Sequence, residues 1–244
     1  MRAILFDVDD TLYDQIEPFR NAHDGVFGER FTVNMEELFQ ARHRRSDEVF
    51  GRSLTGEMSM QEMYVYRTQK AYEDMEVQIS DEEALQFQKI YKSGQDMISL
   101  SPELQTLLEE LSGSGIATGI ITNGPSEHQW NKIHTLGLTR WIPENHIFVS
   151  ADCPCAKPDP GIFRYALKKM KLMPEDVWYV GDSYCNDVVG ARKAGWNVIW
   201  LNRRGVDIEG YAVRPDCVVK SEGELCECIR NIIKCAAGSS GSTF

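Results

Sequence analysis

Residues 3–12 read Ala3-Ile4-Leu5-Phe6-Asp7-Val8-Asp9-Asp10-Thr11-Leu12. An apolar run that stops at a carboxylate is the pattern of a strand buried on both faces and ending where a sheet opens to a ligand. Residues 116–122, 146–150, 177–181 and 197–201 repeat the apolar run, and Cys217–Val219 is a short sixth. Helical patterns fall between them. Ser101-Pro102 opens one, with Leu104, Leu107, Leu108 and Leu111 on its inner face. Residues 125–136 place Trp130, Ile133 and Leu136 on another, and Asp159-Pro160 opens a third lined by Ile162, Phe163, Ala166, Leu167 and Met170. Residues 186–194 form a shorter one stopped by Gly195, and 222–235 bury Leu225, Ile229, Ile232 and Ile233. Strands alternating with helices predict the α/β class: a Rossmann-like, doubly wound parallel sheet covered on both faces.

Residues 15–99 break this alternation. They hold no strand-like run; Leu38, Arg42 and Arg45, then Met60, Met63, Tyr64, Arg67 and Ala71, follow helical spacing. Ten aromatic residues in this stretch suffice for a small core of its own. The expected organisation is an α/β core over 1–14 and 100–237, an inserted all-helical domain over 15–99, and a flexible Gly/Ser-rich tail over 238–244. The basic cluster Arg42, His43, Arg44 and Arg45 reads as a solvated helix face rather than an anion site.

Composition narrows the function classes. The chain has 244 residues, a net charge of −11 and 42% hydrophobic residues, the profile of an ordinary globular protein. No apolar run approaches the roughly 18 residues of a membrane span, and Asp7, Asp9 and Asp10 interrupt the first run too early for a signal peptide. The acidic balance argues against a nucleic acid polymer as partner. Seven cysteines, an odd number, point to free thiols in a reducing cytoplasm. The pairs Cys153/Cys155 and Cys226/Cys228 are closer in sequence than zinc sites favour and read as small apolar residues. The expectation is a cytoplasmic monomer or homodimer without a membrane partner.

Four strand ends carry chemistry. Asp7, Asp9 and Asp10 crowd the first, where like charges are tolerated most easily around a cation; a solvated turn held by Asx hydrogen bonds is the plainer reading. Thr122-Asn123-Gly124 can cradle phosphoryl oxygens through backbone N–H groups, or simply turn the chain into a helix. Lys157, in Ala156-Lys157-Pro158-Asp159-Pro160, is a cation on a stiff loop suited to phosphate or carboxylate, or a surface lysine beside a helix start. Gly181-Asp182-Ser183 is followed by Asp187, which could ligate a metal, orient its neighbours or cap the next helix.

Together, in this order, Asp-x-Asp-x-Thr, Thr-Asn-Gly, Lys-Pro and Gly-Asp-x4-Asp resemble the haloacid dehalogenase superfamily of phosphohydrolases. The match extends to the sheet pattern and to the helical insert, which lies where that superfamily places its cap. The runs Phe6–Leu12 and Ile121–Gly124 further resemble its 5'-nucleotidase-like branch. The resemblance implies Asp7 as nucleophile and Asp9 as general acid and base. It implies Mg²⁺ held by Asp7, the Asp9 carbonyl and Asp182 with Asp187 in support, and phosphate held by Thr122, Asn123 and Lys157. Members that displace halide from carbon lack the second Asp, so Asp9 favours phosphate esters. The implied substrate is a small phosphorylated metabolite: a nucleoside monophosphate first, then a sugar phosphate or phosphoglycolate. A phosphomutase uses the same motifs. A receiver-type signalling protein is the alternative from another class, but its phosphorylated Asp lies on the third strand. Tyr13 and Phe19, where the first strand leads into the helical segment, are either substrate contacts or ordinary packing.

Overall fold

Six strands form one parallel sheet in the order β3-β2-β1-β4-β5-β6. In the computed structural model they are β1 (Ala3–Phe6), β2 (Ala117–Thr122), β3 (Ile147–Val149), β4 (Val177–Gly181), β5 (Asn197–Leu201) and β6 (Cys217–Val219). The structure describes residues 1–207 and 209–238. Helices α1 (Ile16–Phe27), α2 (Met35–Leu54), α3 (Met60–Glu73) and α4 (Asp81–Gln95) follow β1. Helices α5 (Pro102–Gly113), α6 (Ser126–Thr135), α7 (Pro160–Met170), α8 (Gly190–Lys193) and α9 (Glu222–Gly238) alternate with the remaining strands. The chain divides into two compact units: Met1–Asp14 with Ser99–Phe244, and Gln15–Ile98.

All six strands lie where the apolar runs predict them. Successive side chains of a strand point to opposite faces. Ala3 and Leu5 accordingly join one cluster with Ile162, Phe163, Tyr179, Val198 and Trp196, while Ile4 and Phe6 are fully buried as well. Both faces are therefore covered, as a parallel sheet requires. Helix starts follow their caps: Ser101 and Asp159 each accept a backbone N–H, with proline in the first turn.

Three details depart from the sequence reading. The last helix continues to Gly238, so the expected tail is helical at its first residue and otherwise lies outside the described residues. Residues 186–194 are two pieces: a wide π-helical turn over Tyr184–Val189 and the single α-turn of α8. On α6 Ile133 is buried, as is Leu136 at its end, but Gln129 and Lys132 face inward with them while Trp130 stays at the half-buried edge.

The helical unit has its own aromatic core. Phe19 is fully buried, with Phe39 and Phe87 set edge-to-face at 5.2 and 5.0 Å. Helix α1 packs on α4, α2 on α3, and α3 on α4. Ser59 and Ser80 each form reciprocal caps with the glutamate three residues on, at α3 and α4. On α3 the inward face holds Met63, Thr68, Ala71 and Tyr72, while Met60 is exposed.

Candidate active site

In an open α/β sheet the ligand site lies off the carboxyl ends of the strands, where the order reverses. Here β1 is central, with β2 on one side and β4 on the other. Its last residue, Phe6, pairs with both Ile120 and Val180. Asp7 is the next residue, still tied to the sheet by its N–H to the Val180 carbonyl at 2.8 Å. The same register brings Thr122 to the end of β2, and Asp182 just beyond β4.

Lys157 is the hub of the buried charges. Its Nζ lies 2.8 Å from Asp7 Oδ1, 2.7 Å from Asp187 Oδ1 and 3.0 Å from the Tyr179 hydroxyl. Burial works against the ammonium, but Asp187 and Asp7 outweigh it and hold its pKa above the ordinary value. Burial raises the Asp7 carboxyl to about 7; the nearby carboxylates of Asp187 and Asp9 push the same way, and Lys157 only partly opposes them. Burial and the charges of Asp10, Asp187 and Asp7 push Asp182 well above the carboxylate range.

Asp187 is a strut. Besides Lys157, it accepts the Ser183 N–H at 2.9 Å on its other oxygen. Ser183 in turn caps the turn that follows, through Asn186 N, so capping falls to Ser183 rather than Asp187. A Cβ on Gly181 would sit 2.4 Å from the Asp187 carboxyl carbon, so glycine is what lets this strut reach the strand end. Asp7, Asp182 and Asp187 present ligand oxygens within 4.8 Å of one another; among the described residues this is the cluster of acids, cysteines or histidines able to hold a metal.

Asp9 is held differently. Lys132 Nζ reaches its two oxygens at 2.7 and 2.8 Å, the Tyr13 hydroxyl donates at 2.5 Å, and Gln129 Nε2 donates at 3.1 Å. Burial would raise the Asp9 carboxyl; Lys132 and these donors outweigh it and lower it to about 2. Asp10 turns toward two arginines, although its charge still acts on Asp182. It takes a left-handed φ of 55° and pairs with Arg204 at 2.9 Å, while Arg203 donates to its carbonyl.

The Asn123 side chain faces the Lys157 loop. Its amide donates to the Lys157 carbonyl at 2.8 Å and accepts the Lys157 N–H at 3.0 Å. The side chain is thus committed to positioning Lys157. The Thr122 hydroxyl donates to Gln129 at 3.3 Å. Tyr13 touches Asp9, whereas Phe19 is ordinary packing in the helical unit. Gln129, Lys132 and Tyr179 went unmarked in the sequence. Their signal was there: polar side chains at 129 and 132 on the turn-spaced inner face of α6, and a hydroxyl inside the apolar run 177–181.

The family model for haloacid dehalogenase-like hydrolases matches residues 1–195. The chain belongs to the haloacid dehalogenase-like hydrolases. A glyceraldehyde 3-phosphate phosphatase of Methanopyrus kandleri is 26% identical, over 96% of this chain and 99% of that protein. A phosphoserine phosphatase of Thermus thermophilus is 35% identical over 117 residues, 48% of this chain and 46% of that one, so this match spans about half of the relative. The L-2-haloacid dehalogenase of Xanthobacter autotrophicus shares the fold, with a TM-score of 0.68 and 18% identity over 94% of this chain and 98% of that chain. No helix among the described residues is long and apolar enough to cross a membrane.

Proposed function

We propose that this haloacid dehalogenase-like hydrolase is a Mg²⁺-dependent phosphomonoesterase that works through an aspartyl-phosphate on Asp7. The observation that carries the reading is the placement of Asp7, Lys157, Asp182 and Asp187 in one buried cluster, with Asp9 close enough to raise the pKa of Asp7. The donor set suits the metal. Hard oxygen ligands favour Mg²⁺, and buried acids with raised pKa values lack positive charge. Asp7, the Asp9 carbonyl and Asp182 would hold it, with Asp187 in support. Bound there, Mg²⁺ supplies charge neutralisation, letting an anionic nucleophile meet an anionic ester.

Asp7 Oδ attacks phosphorus and the bond to the leaving oxygen breaks. Lys157 and Thr122, with the backbone after β2, hold the phosphoryl oxygens as charge develops. Asp9, protonated from solvent as substrate binds, gives that proton to the leaving oxygen, then takes one from the water that hydrolyses the intermediate. Its resting state is the carboxylate, the form required of a base. An incoming phosphate dianion raises the Asp9 pKa by like-charge repulsion, the direction a proton donor needs. The inserted helical unit acts as the cap that selects the leaving group.

The substrate is a small phosphorylated metabolite. The two phosphatase relatives are named for three-carbon phosphate esters, neither for a nucleotide, which favours the sugar-phosphate and phosphoglycolate alternative over nucleoside monophosphates. The test is phosphate release from phosphoserine, glyceraldehyde 3-phosphate, phosphoglycolate and nucleoside monophosphates, with Mg²⁺ or with EDTA. Turnover should need Mg²⁺, fall about 10⁴-fold in Asp7→Asn, and be faster on the three-carbon esters. Equal rates for Asp7→Asn and the wild type would overturn the reading.

A further inference from the structure

Helix α9 packs on β6 and β5, the outer strands at one side of the sheet. Where they meet lies a groove of about 550 Å³, lined by Trp178, Val219 and Ile232 together with Cys217, Cys228 and Cys235. Cys217 is the first residue of β6, held in register by its pairing with Ile199 of β5. Cys228 and Cys235 stand seven residues apart on α9, two turns along one helix face. Cys226 points the other way: it is buried, and its thiol donates to the Glu103 carbonyl of α5 at 3.8 Å. Residues two apart on a helix do not face each other, so Cys226 and Cys228 serve opposite sides of α9. The partner of Cys228 is Cys217 on the strand, not its neighbour in sequence.

The Cys228 thiol is hydrogen-bonded to the Cys217 sulfur. Thiols in hydrogen-bond contact are near enough to be joined by a disulfide. Both are half-buried in the groove, within reach of a small solute. Burial first, then the hydrogen bond to Cys217 and the nearness of its charge, pushes the Cys228 thiol up to about 12. Cys228 therefore keeps its proton at neutral pH, and Cys217 is the attacking sulfur of the pair. The exposed side chains of Glu224 and Glu227 line the same groove. Their charge disfavours an anionic co-reactant such as glutathione disulfide and favours a small neutral one.

We propose that Cys217 and Cys228 form a hydroperoxide-reactive dithiol that closes to a disulfide between β6 and α9. The Cys217 thiolate attacks one oxygen of hydrogen peroxide. An S–O bond forms, the O–O bond breaks, and the departing hydroxide takes up the proton that Cys217 released, leaving as water. The Cys228 sulfur then attacks the Cys217 sulfur. The S–S bond forms, the S–O bond breaks, and the second hydroxide leaves as water with the Cys228 proton. Two thiols lose two electrons in all, one peroxide becomes two waters, and a dithiol reductant reverses the change. The pair shares no residue with the acid cluster of Asp7, Asp182 and Asp187, so this reactivity is independent of the phosphatase reading.

The test treats the reduced full chain with a few-fold molar excess of hydrogen peroxide and reads the intact mass and a peptide map without reductant. The product should be lighter by about 2 Da, with Cys217 joined to Cys228 as the main cross-link, and dithiothreitol should restore the starting mass. Cys228→Ser should stop at a sulfenic acid on Cys217, trapped as a dimedone adduct. Cys217→Ser should give neither the cross-link nor an adduct on Cys228, and Cys235→Ser should cross-link as the wild type does. The wild-type map is decisive by itself, so a variant that fails to fold does not spare the proposal. It is overturned if peroxide leaves Cys217 and Cys228 both open to iodoacetamide. It is overturned equally if the main cross-link joins another pair, such as Cys153 with Cys155 or Cys228 with Cys235.

Discussion

In the α/β unit the buried ammonium of Lys157 lies between the carboxylates of Asp7 and Asp187, and that of Lys132 against Asp9. In the helical unit the guanidinium groups of Arg42 and Arg67 share one neutral amide oxygen. One region buries charge in opposed pairs with acids in excess; the other sets a buried and a half-buried cation around one neutral acceptor. Burying a charge costs several kcal/mol unless it is paired.

Removing a cation from the opposed set should have the largest effect. Lys157→Met leaves Asp7 and Asp187 buried without their common partner and should destabilise the fold by about 3–5 kcal/mol in urea titrations. A loss below about 1 kcal/mol would mean that neighbouring dipoles, not Lys157, carry the compensation.

A smaller effect of opposite sign is expected in the helical unit. Gln88→Glu completes a charge set rather than breaking one and should stabilise by about 1–3 kcal/mol. Destabilisation would show that desolvating the new carboxylate outweighs its two guanidinium partners.

An effect of similar size depends on pH. The native Asp9 carboxyl, at about 2, lies below its unfolded value of 3.8, so the pairing contributes stability that is fully present above about pH 4 and lost as pH falls toward 2. Lys132→Met removes the dominant lowering influence. The wild type should therefore exceed this variant by about 2 kcal/mol near neutral pH, with the gap closing toward pH 2. A gap independent of pH would assign the role of Lys132 to packing.

Much of the fold was legible in the sequence because a buried parallel strand is a local pattern. Asp7, Asp182, Asp187 and Lys157 were legible for the same reason, since strand ends of one parallel sheet open on one side. The restraint on Asp9 was not. Gln129 and Lys132 lie about 120 residues along the chain and meet it only because α6 turns that face inward. Nor was the role of Asn123, whose amide could serve a phosphate or a neighbouring loop until the loop was seen in place.

The sequence by itself determined the strand order's raw material, the helical insert and the acids at the strand ends, because apolar periodicity and turn chemistry act within a few residues. The tertiary structure decided which charges found opposite partners and which did not. Arg42 and Arg45 stand three residues apart in one basic run, yet Arg45 meets Asp74 at the surface while Arg42 enters the aromatic core. Residues three apart lie near one face of a helix, so the difference is set by the tertiary neighbours each meets: Asp74 for Arg45, and the rings of Phe19, Phe87 and Tyr91 for Arg42.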